Sequence, residues 1–396
     1  MAMTIAASTL DSVRALAPVL REHADNIEQE RRLPEAVVRG LIDAGVFRML
    51  MPRSLGGDEI DPMSACRVVE EVATQDGAAG WCAMIGAGNG HFGGLLPAEG
   101  ARQIFADRNV VLAGVFRPTG VAEAVDGGYR VMGRWPFASG IMHCNWLIGG
   151  CRIMDGDSPR MTSAGAPVVK LMFLPRAEGE VLDTWHTGGL RGTGSHDFEV
   201  KGAFVPASRS LWFADPPVER GPLYSVPAIS LFSPMIASVA LGIARHALEA
   251  FKDLAGVKKP TRSQDLLRAR PVAQSQLGEA EGLLRAGRAF LFEALGDAWE
   301  IARRGEPLSW EQRGLLRLSA TQAATQAVQA VDIVYRAGGA SSVYASTQLE
   351  RCLRDIRTAS QHLQLSTTNY EIAGQMFFGA DMSATGWNVD NRGDAF

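Results

Sequence analysis

The chain has 396 residues, 46% apolar and 21% charged, with a formal net charge of −4. At roughly 100–200 residues per domain this supports two or three domains, with a core that requires neither disulfides nor a metal, and the composition excludes global disorder. Without a basic excess, nucleic acid is not an expected partner.

Residues 1–112 read as helical. The opening MAMTIAASTLDSVRAL lacks a basic flank before a long apolar run, so no signal peptide is expected. Val13, Leu16 and Leu20 recur at helical spacing. Leu33-Pro34 and Asp61-Pro62 are helix starts, because proline lacks the N–H that a first turn leaves unpaired and Asp61 can cap the others. The glycine-rich stretch Gly86–Gly90 is expected to interrupt the helical pattern.

Residues 113–224 change texture. Short apolar runs at 129–132, 146–148 and 168–173 are bounded by Gly, Pro, Asp and Ser, which predicts short strands joined by turns in a small antiparallel barrel or sandwich. No G-x-G-x-x-G follows a strand, which argues against a doubly wound nicotinamide fold. From 225 to 396 the helical period returns, and the 273–304 and 308–336 segments are long enough for bundle helices. Residues 228–248 are apolar but carry a proline and small residues. They read as a buried bundle helix, and no membrane association is expected. The five cysteines (Cys66, Cys82, Cys144, Cys151, Cys352) form no Cys-x-x-Cys pair. Neither a disulfide framework nor a metal site is indicated, and free thiols suit a reducing cytoplasm.

This mainly helical chain with a central β domain resembles the acyl-CoA dehydrogenase fold, an N-terminal helical domain, a β domain and a C-terminal four-helix bundle. Three segments carry the resemblance: Gly133–Gly140 (GRWPFASG), Leu190–Asp197 (LRGTGSHD) followed by Val205-Pro206, and Arg351–Ile356 (RCLRDI). The fold hosts acyl-CoA dehydrogenases, with tightly held FAD, and two-component flavin monooxygenases. A dehydrogenase needs a carboxylate base beside the substrate α-carbon. Many members place it in a Tyr-Glu-Gly motif soon after the Arg-Asp pair, where this chain has Thr358–Gln364 without a carboxylate. Tyr370-Glu371 imitates the motif, but Glu371 lies 16 residues after Asp355 and Ile372 replaces the glycine.

His362 stands near the expected place, and the resemblance to the monooxygenase branch implies a catalytic trio of His91, Ser139 and His362. It further implies reduced FAD or FMN supplied by a separate flavin reductase, with molecular oxygen as co-substrate. The reaction expected is oxygenation of an aromatic or heteroaromatic small molecule through a flavin C4a-hydroperoxide shielded from water. An imidazole titrating near neutrality would handle the substrate's proton. Cofactor contacts are expected from Trp135, Phe137, Ser139, Arg262, Gly338, Gly339 and Ser341. The segment Gly338–Ser341 would approach a neighbouring subunit's cofactor in a homotetramer. Asp355 is expected to pair with an arginine inside the bundle.

Overall fold

The computed structural model describes residues 2–382. Six helices come first: α1 (Ala2–Glu22), α2 (Ala24–Glu30), α3 (Glu35–Asp43), α4 (Pro62–Gln75), α5 (Gly77–Gly90) and α6 (Ala98–Phe105). Helix α4 begins as its sequence requires: Asp61 accepts the Ser64 N–H at 2.9 Å, and Pro62 opens the first turn. Pro34 instead sits at the cap position, one residue before α3.

The Gly86–Gly90 stretch does not break the pattern; α5 runs through it. Tertiary packing explains this departure. A Cβ on Gly86 would lie 2.3 Å from the Phe47 ring, and one on Gly88 would lie 2.5 Å from the Phe232 ring. The glycines therefore let two aromatic rings close on the helix, which offsets their low helix propensity.

The β domain comprises β1 (Leu112–Val125), β2 (Gly128–Trp135), β3 (Trp146–Asp155), β4 (Ser158–Pro159), β5 (Val169–Pro175), β6 (Glu180–Leu182), β7 (Asp197–Pro206) and β8 (Ser210–Leu211). They form one eight-stranded sheet in the order β6-β7-β2-β1-β3-β5-β8, with β4 on β3. The sheet is not wholly antiparallel, because β1 and β3 pair in parallel. Strand β2 folds back on β1 through the turn at Gly127, whose φ is 74°. Residues 136–145 then carry the chain to the other edge of β1, so β3 enters running the same way. That crossing segment contains Phe137 and Ser139.

The remaining helices are α7 (Pro222–Ser225), α8 (Ala228–Val257), α9 (Pro271–Arg303), α10 (Trp310–Gly338), α11 (Gln348–Ala359) and α12 (Thr368–Phe377). Helix α8 is long and apolar enough to cross a membrane by length and composition, but 94% of its most apolar window is buried inside the protein. It packs on α4 and α5 and on α10 and α11. A Cβ on Gly242 would stand 2.5 Å from that of Ala73, so the α4–α8 crossing depends on a residue without a side chain.

Candidate active site

The site is assembled where the N-terminus of α5, the segment after β2 and the segment after α11 converge. Asp76 caps α5 by accepting the Ala79 N–H at 2.8 Å. Gly77, Ala78, Ala79 and Gly80 follow, small enough for α5 to lie close against α4 and α8. The first large side chain is Trp81. Its indole Nε1 donates to Ser139 Oγ at 3.0 Å, and its ring meets the His362 imidazole edge-on, centroids 5.7 Å apart. Trp81 thus joins two predicted site residues that are 223 positions apart in the chain.

Ser139 is held by a tight turn. Phe137 adopts φ 67°, and the Ser139 N–H reaches back to the Phe137 carbonyl at 2.9 Å. Two backbone bonds fasten this turn to the 193–196 segment: Ala138 N–H to His196 O at 3.0 Å, and Gly140 N–H to Thr193 O at 2.9 Å. The side chains continue the seam. Ser139 Oγ lies 2.7 Å from Ser195 Oγ, which lies 2.6 Å from Thr193 Oγ1, and the latter donates to Leu190 O at 2.8 Å. Ser139, Ser195 and Thr193 are all buried. Phe137, by contrast, is 66% exposed, with its ring edge-on to Trp185.

His362 caps the short turn Leu363–Leu365, its Nδ1 accepting the Gln364 N–H at 3.2 Å. A backbone N–H can only donate, so Nδ1 is bare and the neutral ring carries its hydrogen on Nε2. Packing against Trp81 removes water from the ring, and burial lowers its pKa to about 4. The expectation of an imidazole titrating near neutrality is therefore corrected. At neutral pH His362 is an uncharged N–H donor whose other nitrogen is occupied, which suits it to hydrogen-bond donation better than to proton abstraction.

His91 follows the C-terminal end of α5. It is fully buried, stacked on Tyr224 with centroids 5.1 Å apart, and neither ring nitrogen has a hydrogen-bond partner among the described residues. Burial lowers its pKa to about 4 as well. An unpaired buried polar group costs about 1–3 kcal/mol, so these nitrogens are suited to a ligand. No hydrogen bond or ring contact joins His91 to Ser139 or His362. Ten residues of helix separate it from Trp81, about 15 Å along the axis.

Trp135 is a correction. It is fully buried in the β domain, stacked on Phe198 at 4.9 Å, and its Nε1 donates to Gly150 O at 2.8 Å. It is a core residue and not a cofactor wall.

Asp355 is another correction. Among the described residues no arginine pairs with it: Arg351 binds Asp25, and Arg354 binds Glu28 and Glu350. Asp355 instead accepts the Leu190 N–H at 2.6 Å, and burial, reinforced by nearby Asp76, raises its pKa to about 7. It thereby fixes the segment that carries Thr193 and Ser195. Among the described residues no carboxylate hydrogen-bonds Ser139, Trp81 or His362. Glu371 is exposed on α12.

Arg262, Gly338, Gly339 and Ser341 form a separate group. Lys258 Nζ donates to Gly338 O at 2.6 Å, linking the exposed Arg262 loop to the Gly338–Ser341 turn. This group lies past the C-terminal end of α8. The opposite end of α8 touches the His362 segment, where Ser233 Oγ donates to Gln364 Oε1 at 2.7 Å. The 25 residues from Ser233 to Lys258 correspond to about 37 Å of helix. The predicted residues thus do not gather at one point within one chain: Ser139 and His362 meet at Trp81, His91 lies farther along α5, Trp135 is in the β core, and the Arg262 and Gly338–Ser341 group lies past the far end of α8.

Sequence reading missed Trp81, Thr193, Ser195 and Tyr224. For Trp81 a signal existed, a lone large aromatic after four small residues. Thr193 and Ser195 lay inside a quoted motif, but their side-chain partners are set by the fold.

An uncharged surface of hydroxyl, imidazole and aromatic groups beside the exposed Phe137 fits a planar tricyclic ring such as a flavin. His143 Nε2, buried next to Gly140 and without a hydrogen-bond partner among the described residues, adds a polar atom available to a ligand.

Known proteins resemble this chain in sequence and fold. The family model described as acyl-CoA dehydrogenase, N-terminal domain, matches residues 8–101, and that of the C-terminal domain matches residues 234–367. Indole-3-acetate monooxygenase of Pseudomonas putida is 32% identical over 378 residues, covering 93% of this chain and 95% of that protein. The flavin-dependent monooxygenase oxygenase subunit HsaA of Rhodococcus jostii is 30% identical, covering 88% of this chain and 92% of that protein. The structure of XiaF from Streptomyces sp., in complex with FADH2 and glycerol, matches with a TM-score of 0.89 at 28% identity, covering 96% of this chain and 97% of that one.

Proposed function

The chain belongs to the acyl-CoA dehydrogenase family, among its flavin-dependent monooxygenase oxygenase subunits, and from that premise we propose that it oxygenates a planar aromatic or heteroaromatic small molecule, using reduced FAD or FMN from a separate reductase and molecular oxygen. Flavin supplies the activation of oxygen when bound. The chain's own residues do the rest. Ser139 offers a buried hydroxyl to the reactive edge of the ring. Phe137 covers a face, and the Trp81–His362 wall keeps water out. His362 offers an N–H, and the unpaired nitrogens of His91 are placed to receive a polar group of substrate or co-substrate.

The observation that carries this reading is the Trp81–Ser139–His362 arrangement, which is uncharged and, among the described residues, has no hydrogen-bonded carboxylate to serve as a dehydrogenase's base. Glu371, exposed on α12, does not serve as that base. The relatives named for indole-3-acetate and resorcinol support a small aromatic substrate.

We also propose a homotetramer in the cytoplasm. The separation of the Arg262 and Gly338–Ser341 group from Ser139 supports the assembly, since a neighbour's group would complete the site that one chain leaves open. The test supplies purified protein with chemically reduced flavin, isotopically labelled oxygen and a panel of indoles and phenols. Product carrying one labelled oxygen atom is expected. NADH should be consumed only when a reductase is added; rapid consumption by the protein alone would refute the two-component reading.

A further inference from the structure

The Ser139 hydroxyl belongs to a buried chain whose hydrogens admit one arrangement. At one end, the Leu190 carbonyl can only accept, so the Thr193 hydroxyl, 2.8 Å away, must spend its single hydrogen there. Thr193 then has only a lone pair for Ser195, so Ser195 donates to Thr193 across 2.6 Å. Ser195 has no second hydrogen, so Ser139 donates to Ser195 across 2.7 Å. At the other end, the Trp81 indole can only donate, and it donates to Ser139. All the donors point one way, from Trp81 through Ser139, Ser195 and Thr193 to Leu190. The terminal acceptor is itself immobilised: Leu190 O also receives Trp185 Nε1 at 3.0 Å, and the Leu190 N–H is held by Asp355. Aligned hydrogen bonds of this kind polarise one another in a low-dielectric interior.

Ser139 therefore has its hydrogen committed and one lone pair left. We propose that Thr193 and Ser195 are positioning residues that lock the Ser139 hydroxyl as a hydrogen acceptor toward the cofactor, so that the site discriminates between flavin redox states. A reduced isoalloxazine carries an N–H at its reactive edge, whereas the oxidised ring presents a bare nitrogen there. An acceptor-only oxygen attracts the first and repels the second. The sign of the preference is thus set by two side chains that need not touch the cofactor. The proposal rests on the reading of this site as a flavin site.

The test titrates oxidised and reduced flavin, anaerobically, into wild type, Ser195→Ala, Thr193→Val and Thr193→Ser, and measures the midpoint potential of the bound flavin. Removing Ser195 frees the Ser139 hydrogen to turn toward the cofactor. Removing the Thr193 hydroxyl lets Ser195 donate back to Ser139, with the same result. Each change should lower the preference for reduced flavin about tenfold, which for a two-electron couple is a midpoint lower by about 30 mV. Thr193→Ser restores the hydroxyl and should keep the wild-type value. A merely structural role would not produce this pattern of loss and rescue. If Ser195→Ala fails to fold, the Thr193→Val and Thr193→Ser pair decides. An unchanged preference in the folded Ser195→Ala and Thr193→Val proteins overturns the proposal alone. So does an equal loss in Thr193→Val and Thr193→Ser. Wild-type protein that binds flavin in neither state overturns the functional reading and this proposal with it.

Discussion

Replacing Asp355 with asparagine isolates a buried charge without removing the acceptor for the Leu190 N–H. Burial, with Asp76 nearby, raises the Asp355 pKa from 3.8 to about 7. Between those values the unfolded chain has released the proton and the folded chain retains it, so the wild type loses stability as pH rises from about 4 to about 7, and no more above that. At about 1.4 kcal/mol for each pKa unit, a rise from 3.8 to about 7 bounds the loss at roughly 4 kcal/mol. With an unfolding entropy of about 2.1 cal/mol/K per residue, a 396-residue chain unfolding as one unit would shift its Tm by about 5 °C. Asparagine has no such proton. About 1 kcal/mol of that loss is already complete at pH 4.5, so in thermal melts the Tm of Asp355→Asn minus that of wild type should grow by up to about 4 °C between pH 4.5 and pH 8, and then level. A difference that stays constant across this range, or shrinks with rising pH, would refute the assignment of a desolvated carboxyl at this position.

His362→Ala should keep the fold and lower product formation by about 10²-fold or more, with hydrogen peroxide released instead, while Glu371→Gln leaves turnover of any substrate unchanged. Product and peroxide quantified side by side test both. Because burial lowers the pKa of both His91 and His362 to about 4, both are neutral above pH 5 and protonate only well below it. The pH–rate profile should show no inflection from them between pH 6 and 8. An inflection near 6.5 that disappears in His362→Ala would contradict the neutral-donor role. Gly88→Ala forces a Cβ to 2.5 Å from the Phe232 ring; overpacking of this kind costs about 1–3 kcal/mol, which chemical denaturation would measure.

What the sequence discloses depends on how local the determining forces are. Asp61-Pro62 could be read as a helix start because a cap and a first-turn proline act within four residues. The helix–sheet–helix order could be read because periodicity averages over many residues. Gly86–Gly90 misleads, since the rings that make glycine necessary there, Phe47 and Phe232, come from remote segments. Trp135 misleads because an aromatic on a strand beside a functional turn faces either the core or a ligand, and β-sheet register decides which. Asp355 was readable as a buried acid but not as the holder of Leu190, 165 residues away. Ser139 and His362 were legible through family resemblance. Trp81, which brings them together, offered only the weaker signal of a lone large aromatic after four small residues, because no spacing pattern ties it to its partners.

Helix α8 packs on α4 and α5 and on α10 and α11, with Gly242 set into the backbone of α4. The first and last helical regions consequently share one interior, although the whole β domain separates them in sequence. During synthesis the N-terminal helices must wait, one apolar face uncovered, until more than a hundred further residues have emerged. Expression of the chain truncated before residue 228 should give insoluble material, and co-expressing the missing C-terminal piece as a separate polypeptide is the direct way to recover it.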